Sequence, residues 1–361
     1  MIPVAVPSIG EKELEYVTDA VKSGWVSSQG KYVYKFEKKY AKYCGTKYAS
    51  SVANGTVALH LALKVLGIGN GDEVIIPALA YIAVANAIVY TGAKPVLVDS
   101  QDSTWCIDPD KIEEKINKNT KAIIPVHIYG HAADMDPILA LAKKHELFVI
   151  EDAAEAHGAE YKGKKVGSLG DIGVFSFYGN KIITTGEGGM LTTNNQDYYE
   201  RAQFLKSQAM SKTERYVHPE IGFNYRLTNI QSAIGLAQLE QLDLFIEKKR
   251  RIAKKYNQLL AGIKGISLPP EADWCKSIFW MYSILVDKEY RMDRDTLMGQ
   301  LFDKGVETRP FFPCVHNQPP HRQSLDAPVA EGLSVRGINL PTSVSLKDDE
   351  IEYICSVIRK K

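Results

Sequence analysis

The sequence predicts an α/β fold: a large domain with a mainly parallel sheet between helices, plus a smaller C-terminal α/β domain. Three observations lead there. Short apolar runs alternate with helix-like patterns over the first two thirds of the 361 residues. Those runs are apolar throughout, as in strands buried on both faces. A long amphipathic pattern then ends at two prolines, and a second, shorter set of elements follows. A chain of this length exceeds one average domain. The expected division is a large domain over 1–240 and a small one over 241–361.

The elements follow in order. DEVIIP (72–77) reads as a buried strand and YIAVANAIVYTG (81–92) as a helix closed by Gly92. KPVLVD (94–99) is the next strand, and DPDKIEEKI (108–116) begins a helix whose acidic first turn suits the helix dipole. KAIIPVHIYG (121–130) is a third strand, MDPILALAKKHE (135–146) a helix and LFVIED (147–152) a fourth strand. One long helix is expected over 230–263, with apolar residues at three- and four-residue spacing and basic residues in its second half. The lysines around Lys248–Lys255 read as a solvated face. GISLPPEADW (265–274) stops that helix. SIFWMYSILV (277–286) reads as a strand, RDTLMGQLFDKG (294–305) as a helix and VETRPFF (306–312) as strand and loop. SLKDDEIEYICSVIRKK (345–361) closes the chain as an amphipathic helix.

Composition removes several function classes. The formal charge is +1, so neither nucleic acid nor an anionic membrane is an expected partner. Five cysteines, scattered and without a CxxC pair, argue against a disulfide framework or a structural zinc, and no metal site is expected. The N-terminus lacks a basic segment followed by an apolar stretch, and no run reaches membrane-spanning length. The expectation is a soluble cytoplasmic protein.

In open sheets of parallel strands, ligands bind beyond the carboxyl ends. Asp152 ends the apolar run LFVIED, so its carboxylate sits at such an end. It can cap a following helix, or pair with a buried cationic ring nitrogen. In NGT (54–56), the N–H groups of Gly55 and Thr56 and the Thr56 hydroxyl open a helix and suit an anion, although plain capping fits too. Lys181 lies between the apolar FSFYGN and the glycine-rich TTGEGG. A lysine against an apolar strand loses hydration unless its charge is paired, spread or consumed by covalent bonding. Ser176 adds a hydroxyl just before it, and Tyr81 an aromatic ring after the DEVIIP strand. Pyridoxal 5′-phosphate uses such a set: a lysine for its aldehyde, an acid for its ring nitrogen, a phosphate cradle and a stacking ring.

The ordered motifs NGT, PALAYIAVANAI, PVHIYGHAADMD, EDAAEAHGA, SFYGNKIITTGEGG, GFNYRLTNIQSAIGLAQLE and ETRPFF span nearly the whole chain. Together they resemble the DegT/DnrJ/EryC1/StrS family of pyridoxal-phosphate-dependent nucleotide-sugar aminotransferases. The resemblance implies the aspartate-aminotransferase-like fold (fold type I of such enzymes). It implies Lys181 as the Schiff-base lysine, Asp152 as partner of the pyridine nitrogen and Tyr81 as the stacking ring. Gly55, Thr56 and Ser176 become phosphate contacts, and Glu155 lies near the cofactor's phenolic oxygen. Asn224 is implied to reach the phosphate from a second subunit, making a homodimer with shared active sites. L-glutamate is implied as amino donor.

STWCIDPD, HIYGHAADMD, FSFYGNKIITTGEGGM, WMYSI, VETRPFF and RGINLP resemble those members that aminate C4 of a GDP-linked 4-keto-6-deoxy sugar. A UDP- or dTDP-linked 4-keto sugar is the alternative substrate. A sugar dehydratase of the same fold would carry histidine in place of Lys181. Tyr129, His131, Arg309, His316 and Arg336 are candidate sugar or nucleotide contacts, each equally readable as a packed pair or an ion pair. His157 reads as a structural histidine.

Overall fold

The computed structural model describes residues 1–359. Chain order begins with α1 (Glu11–Lys22), α2 (Lys31–Cys44), β1 (Tyr48–Val52), α3 (Gly55–Val65), β2 (Glu73–Pro77), α4 (Ala83–Tyr90), β3 (Lys94–Val98) and β4 (Thr120–Ile123). Next come α5 (Met135–Lys144), β5 (Phe148–Asp152), β6 (Glu160–Tyr161), β7 (Lys164–Lys165), β8 (Ile172–Ser176), β9 (Gly189–Thr193), α6 (Gln196–Leu205), α7 (Asn229–Leu239) and α8 (Leu242–Leu260). The remainder holds β10 (Ile266–Ser267), β11 (Cys275–Lys276), β12 (Tyr282–Val286), α9 (Arg294–Asp303), β13 (Arg309–Pro310), α10 (Pro328–Arg336), β14 (Gly337–Leu340) and α11 (Asp348–Arg359).

Seven strands form the main sheet in the order β1-β9-β8-β5-β4-β2-β3. Neighbours from β8 to β3 are parallel, and the fully buried Ile75, Ile123, Ile150 and Val174 explain why their runs read as apolar throughout. Only β9 runs against its neighbours. It returns from β8 through residues 177–188 without a helix, and an antiparallel neighbour needs no crossover. A second sheet, β10-β12-β14-β13, is antiparallel. It shares a separate core with α9, α11 and the second half of α8, centred on Ile252, Tyr256, Tyr282, Leu301 and Ile354. The observed class is therefore the expected α/β fold with a mainly parallel central sheet.

Several local expectations need correction. Residues 108–116 form two short 3₁₀ turns, because only Pro109 and Ile112 are buried there and the charged run between them has no apolar face to pack. The helix expected over 230–263 breaks between Leu239 and Leu242. There the Glu13 carboxylate draws in the side-chain amides of both Gln238 and Gln241 at 2.7 Å, and the chain turns. Strand β4 stops at Ile123, ahead of Pro125. In 277–286 only Tyr282–Val286 is strand, since the preceding residues cross over Gly130. Lys249 departs from the solvated face: it is buried, and its Nζ donates to the Trp280 carbonyl at 2.8 Å. Two N-terminal helices, α1 and α2, were not foreseen; both pack on α7.

Candidate active site

Strand register assembles the site. Gly189 on β9 pairs with Val52 at the end of β1 and with Ser176 at the end of β8. The first turn of α3 is thereby delivered beside Ser176. The contact is close at two glycines. A Cβ on Gly189 would fall 2.5 Å from the Asn54 carbonyl oxygen, and one on Gly55 would fall 2.8 Å from the Ser176 Cβ. Asn54 caps α3 by accepting the Val57 N–H at 3.0 Å. The first two N–H groups of the helix, on Gly55 and Thr56, are left without an acceptor among the described residues. Both residues line a cavity of about 610 Å³ together with Asp152, Glu155, Ser176 and Lys181.

Lys181 lies at the floor of this cavity with its side chain 12% exposed. Burial pushes its amine below the usual lysine range, opposed by the carboxylates of Glu155 and Asp152. Its Nζ is 3.8 Å from Glu155 Oε1, too long for a hydrogen bond. Burial raises the Glu155 carboxyl to about 7, with Lys181 and the Tyr129 N–H pulling the other way. That N–H donates to Glu155 Oε2 at 2.8 Å. Asp152 is also raised by burial, and its Oδ1 accepts the Ala154 N–H at 3.0 Å. The other Asp152 oxygen has no hydrogen-bond partner among the described residues.

The strand ends are braced from below. Glu151 is fully buried and accepts the N–H groups of Gly167, Leu169 and Gly170 at 2.7 to 2.8 Å. His127 Nδ1 accepts the Ala133 N–H at 3.0 Å, so its Nε2 carries the proton and donates to Glu151 at 3.1 Å. His157 is fully buried between the Tyr40 hydroxyl at 2.7 Å and the Ser176 carbonyl at 2.8 Å. It has the structural place expected of it.

Among the remaining candidates, Arg309 and the half-exposed Tyr81 line the cavity, with the Phe312 ring 5.5 Å from that of Tyr81. Tyr129 is buried beside it. Its N–H holds Glu155, and its hydroxyl accepts the Phe312 N–H at 3.1 Å. His131, His316 and Arg336 lie outside the cavity lining. His131 is held by the Ala132 carbonyl and the Ala272 N–H; His316 bonds Glu331; Arg336 pairs with Asp287. In each case the packed or ion-paired alternative is the one observed. Asn224 is exposed, outside the cavity lining of its own chain, and accepts from Arg226 at 3.2 Å.

Sequence reasoning missed Trp280, Asn180, Tyr178 and Glu187, all of which line the cavity. Three of them flank Lys181 in the same motif, a signal that was available. Trp280 comes from a distant segment, and although it opens the WMYSI motif, nothing in that motif's spacing placed it at the cavity.

The residues present fit pyridoxal phosphate. A cradle that even one Cβ at Gly55 would fill, with two free N–H groups and the Ser176 hydroxyl, suits a phosphate. Asp152, with one oxygen uncommitted, suits a protonated ring nitrogen, and the amine of Lys181 suits an aldehyde.

Residues 7–359 match the DegT/DnrJ/EryC1/StrS aminotransferase family. Among curated proteins, the chain is similar to the GDP-perosamine synthase of Escherichia coli O157:H7, at 50% identity over 99% of this chain and 98% of that one. It is 48% identical to the GDP-perosamine synthase of Caulobacter vibrioides, over 99% and 97%, and 43% identical to that of Vibrio cholerae, over 99% and 98%. Among solved structures, S. venezuelae DesV in complex with a ketimine intermediate superposes with a TM-score of 0.91 at 34% identity, covering 96% of this chain and 93% of that one. The PMP-form of Spr1654 from Streptococcus pneumoniae gives 0.94 at 29% identity, covering 99% and 96%.

Proposed function

This chain belongs to the DegT/DnrJ/EryC1/StrS aminotransferase family, and we propose that it moves the amino group of L-glutamate to C4 of GDP-4-keto-6-deoxy-D-mannose, giving GDP-perosamine and 2-oxoglutarate. The observation that carries this reading is a buried amine, Lys181, facing two carboxylates in a cavity whose far side offers free helix N–H groups. The substrate rests on full-length identity of 43% to 50% with three GDP-perosamine synthases.

Bound pyridoxal phosphate supplies an aldehyde and an electron-accepting ring. Gly55, Thr56 and Ser176 would hold its phosphate, and Tyr81 would cover its ring. Asp152 is costly to keep charged in its buried place, so it favours a cation opposite, and it would hold the proton on the ring nitrogen. Lys181 Nζ, its basicity lowered by burial, takes a proton from substrate carbon and returns it. Glu155 Oε1, with its carboxyl at about 7, is a second resting place for that proton. Arg309 would meet the sugar or nucleotide end.

Asn224 would serve a second copy of the chain, in a homodimer with shared sites; its exposure outside the lining of its own cavity supports this. The two-lobe division at residue 240 is supported by the break between α7 and α8. Cytoplasmic residence, with neither nucleic acid nor membrane as partner, belongs to the same reading. Among the described residues no helix is long and apolar enough to cross a membrane.

The test is a substrate panel. Protein loaded with cofactor, given glutamate and GDP-4-keto-6-deoxy-D-mannose, is expected to yield a GDP-4-amino sugar by mass spectrometry. Turnover with a UDP- or dTDP-linked 4-keto sugar, and none with the GDP sugar, would reject the substrate and spare the aminotransferase.

A further inference from the structure

Trp280 has no part in the reading above, yet its contacts aim it at Lys181. The Lys181 ammonium lies 3.9 Å from the centre of the indole ring. The indole N–H donates to the Asn180 carbonyl at 2.8 Å, tying down the peptide that carries Lys181. Trp280's own carbonyl accepts from the buried Lys249 on α8 at 2.8 Å. Its backbone crosses Gly130, where a Cβ would fall 2.7 Å from the Trp280 nitrogen. The neighbouring Tyr129 ring lies nearly parallel to the indole, at 17°.

We propose that Trp280 is a positioning residue for the Lys181 amine: its ring face holds the ammonium above the cavity floor while its N–H anchors the lysine's loop. A lysine side chain is a flexible stem with a point charge, and among the described residues no hydrogen bond holds its end. Glu155 stands at 3.8 Å, beyond hydrogen-bond reach. A desolvated ammonium over an indole is attracted by the ring's negative face. The ring therefore fixes where Nζ waits and favours its protonated form. The other charged groups near it are Asp152 and Glu155 from the end of β5, and Arg309 and Glu187 on the cavity wall. Lys249 reaches the far side of Trp280, and the ring of His157 stays neutral beneath, its nitrogen pushed down to about 3 mainly by burial.

The proposal rests on Lys181 being the reacting amine, and its test needs neither cofactor nor sugar. Amines of the cofactor-stripped, full-length protein are labelled with acetic anhydride across a pH series, and the Lys181 peptide is quantified by mass spectrometry. Trp280→Leu is expected to lower the Lys181 midpoint by about one pH unit. An unchanged or raised midpoint overturns the proposal. A second measurement needs no variant at Trp280. Tryptophan emission of the stripped protein should show a step at the Lys181 midpoint that vanishes in Lys181→Met. A trace identical in both proteins overturns the proposal as well. Borohydride tagging of the loaded enzyme at a residue other than Lys181 would instead overturn the functional reading, leaving these two measurements intact.

Discussion

Gly55 and Ser176 approach so closely that a Cβ on the glycine would stand 2.8 Å from the Cβ of the serine. The end of β8 and the opening turn of α3 meet there, and no side chain fits between them. The cradle proposed for the phosphate keeps its space by the absence of one carbon.

Gly55→Val should therefore spread the cradle while the sheet stays folded. The expected outcome is at least a tenfold weaker hold on pyridoxal phosphate, equivalent to about 1.4 kcal/mol, read by equilibrium dialysis. Unaltered circular dichroism would accompany it. Equal affinity in variant and parent would show that the cradle is elsewhere.

Lys181→Ala should lower turnover by about four orders of magnitude, since it would remove the amine proposed for proton transfer. Borohydride reduction of the loaded parent, followed by peptide mapping, should mark Lys181. Residual turnover close to that of the parent would assign the chemistry to another group.

Acid should destabilise the fold through two buried histidines. Burial lowers His131 to about 4 and His157 to about 3, both from 6.5. Below 6.5 the unfolded chain binds these protons and the folded chain does not, so stability is lost as pH falls from 6.5 towards 3. Each contributes roughly 3 to 5 kcal/mol over that window. Urea midpoints should fall accordingly, and His157→Phe should flatten the slope. A flat profile between pH 6.5 and 4 would refute it.

Lys249 works in the opposite range. Burial lowers its amine from 10.5 to about 7. Between those values the unfolded chain holds a proton that the folded chain has released, so stability rises with pH from 7 to 10.5. The difference in stability between the parent and Lys249→Met should grow in the parent's favour across that interval, by up to about 5 kcal/mol. A constant difference would mean that Lys249 keeps its charge inside the fold.

Much of the site was legible because its residues sit at ends of elements. Asp152 and Ser176 each close an apolar run, and Lys181 precedes a glycine-rich stretch. Gly55 and Thr56 open a helix after a short strand. Each of these places depends on neighbours within a few residues. His131 was harder. It stands in a similar motif context to the cavity residues, yet it turns into the core, as the structural His157 does, and the Ala272 N–H and the Tyr40 hydroxyl meet them there. Those partners are remote in sequence.

From its residues alone, the chain determined the class of its sheet, the strand end that bears Asp152 and the amine available for chemistry. Local runs and breaks are enough to set those. Only the folded molecule decided what surrounds that amine. Trp280 reaches Lys181 because its segment, just ahead of β12, crosses Gly130 and its carbonyl is held by a helix lysine that the sequence pattern had assigned to solvent. Such crossings depend on which distant segments share a core, and no spacing along one segment encodes the direction in which another will arrive.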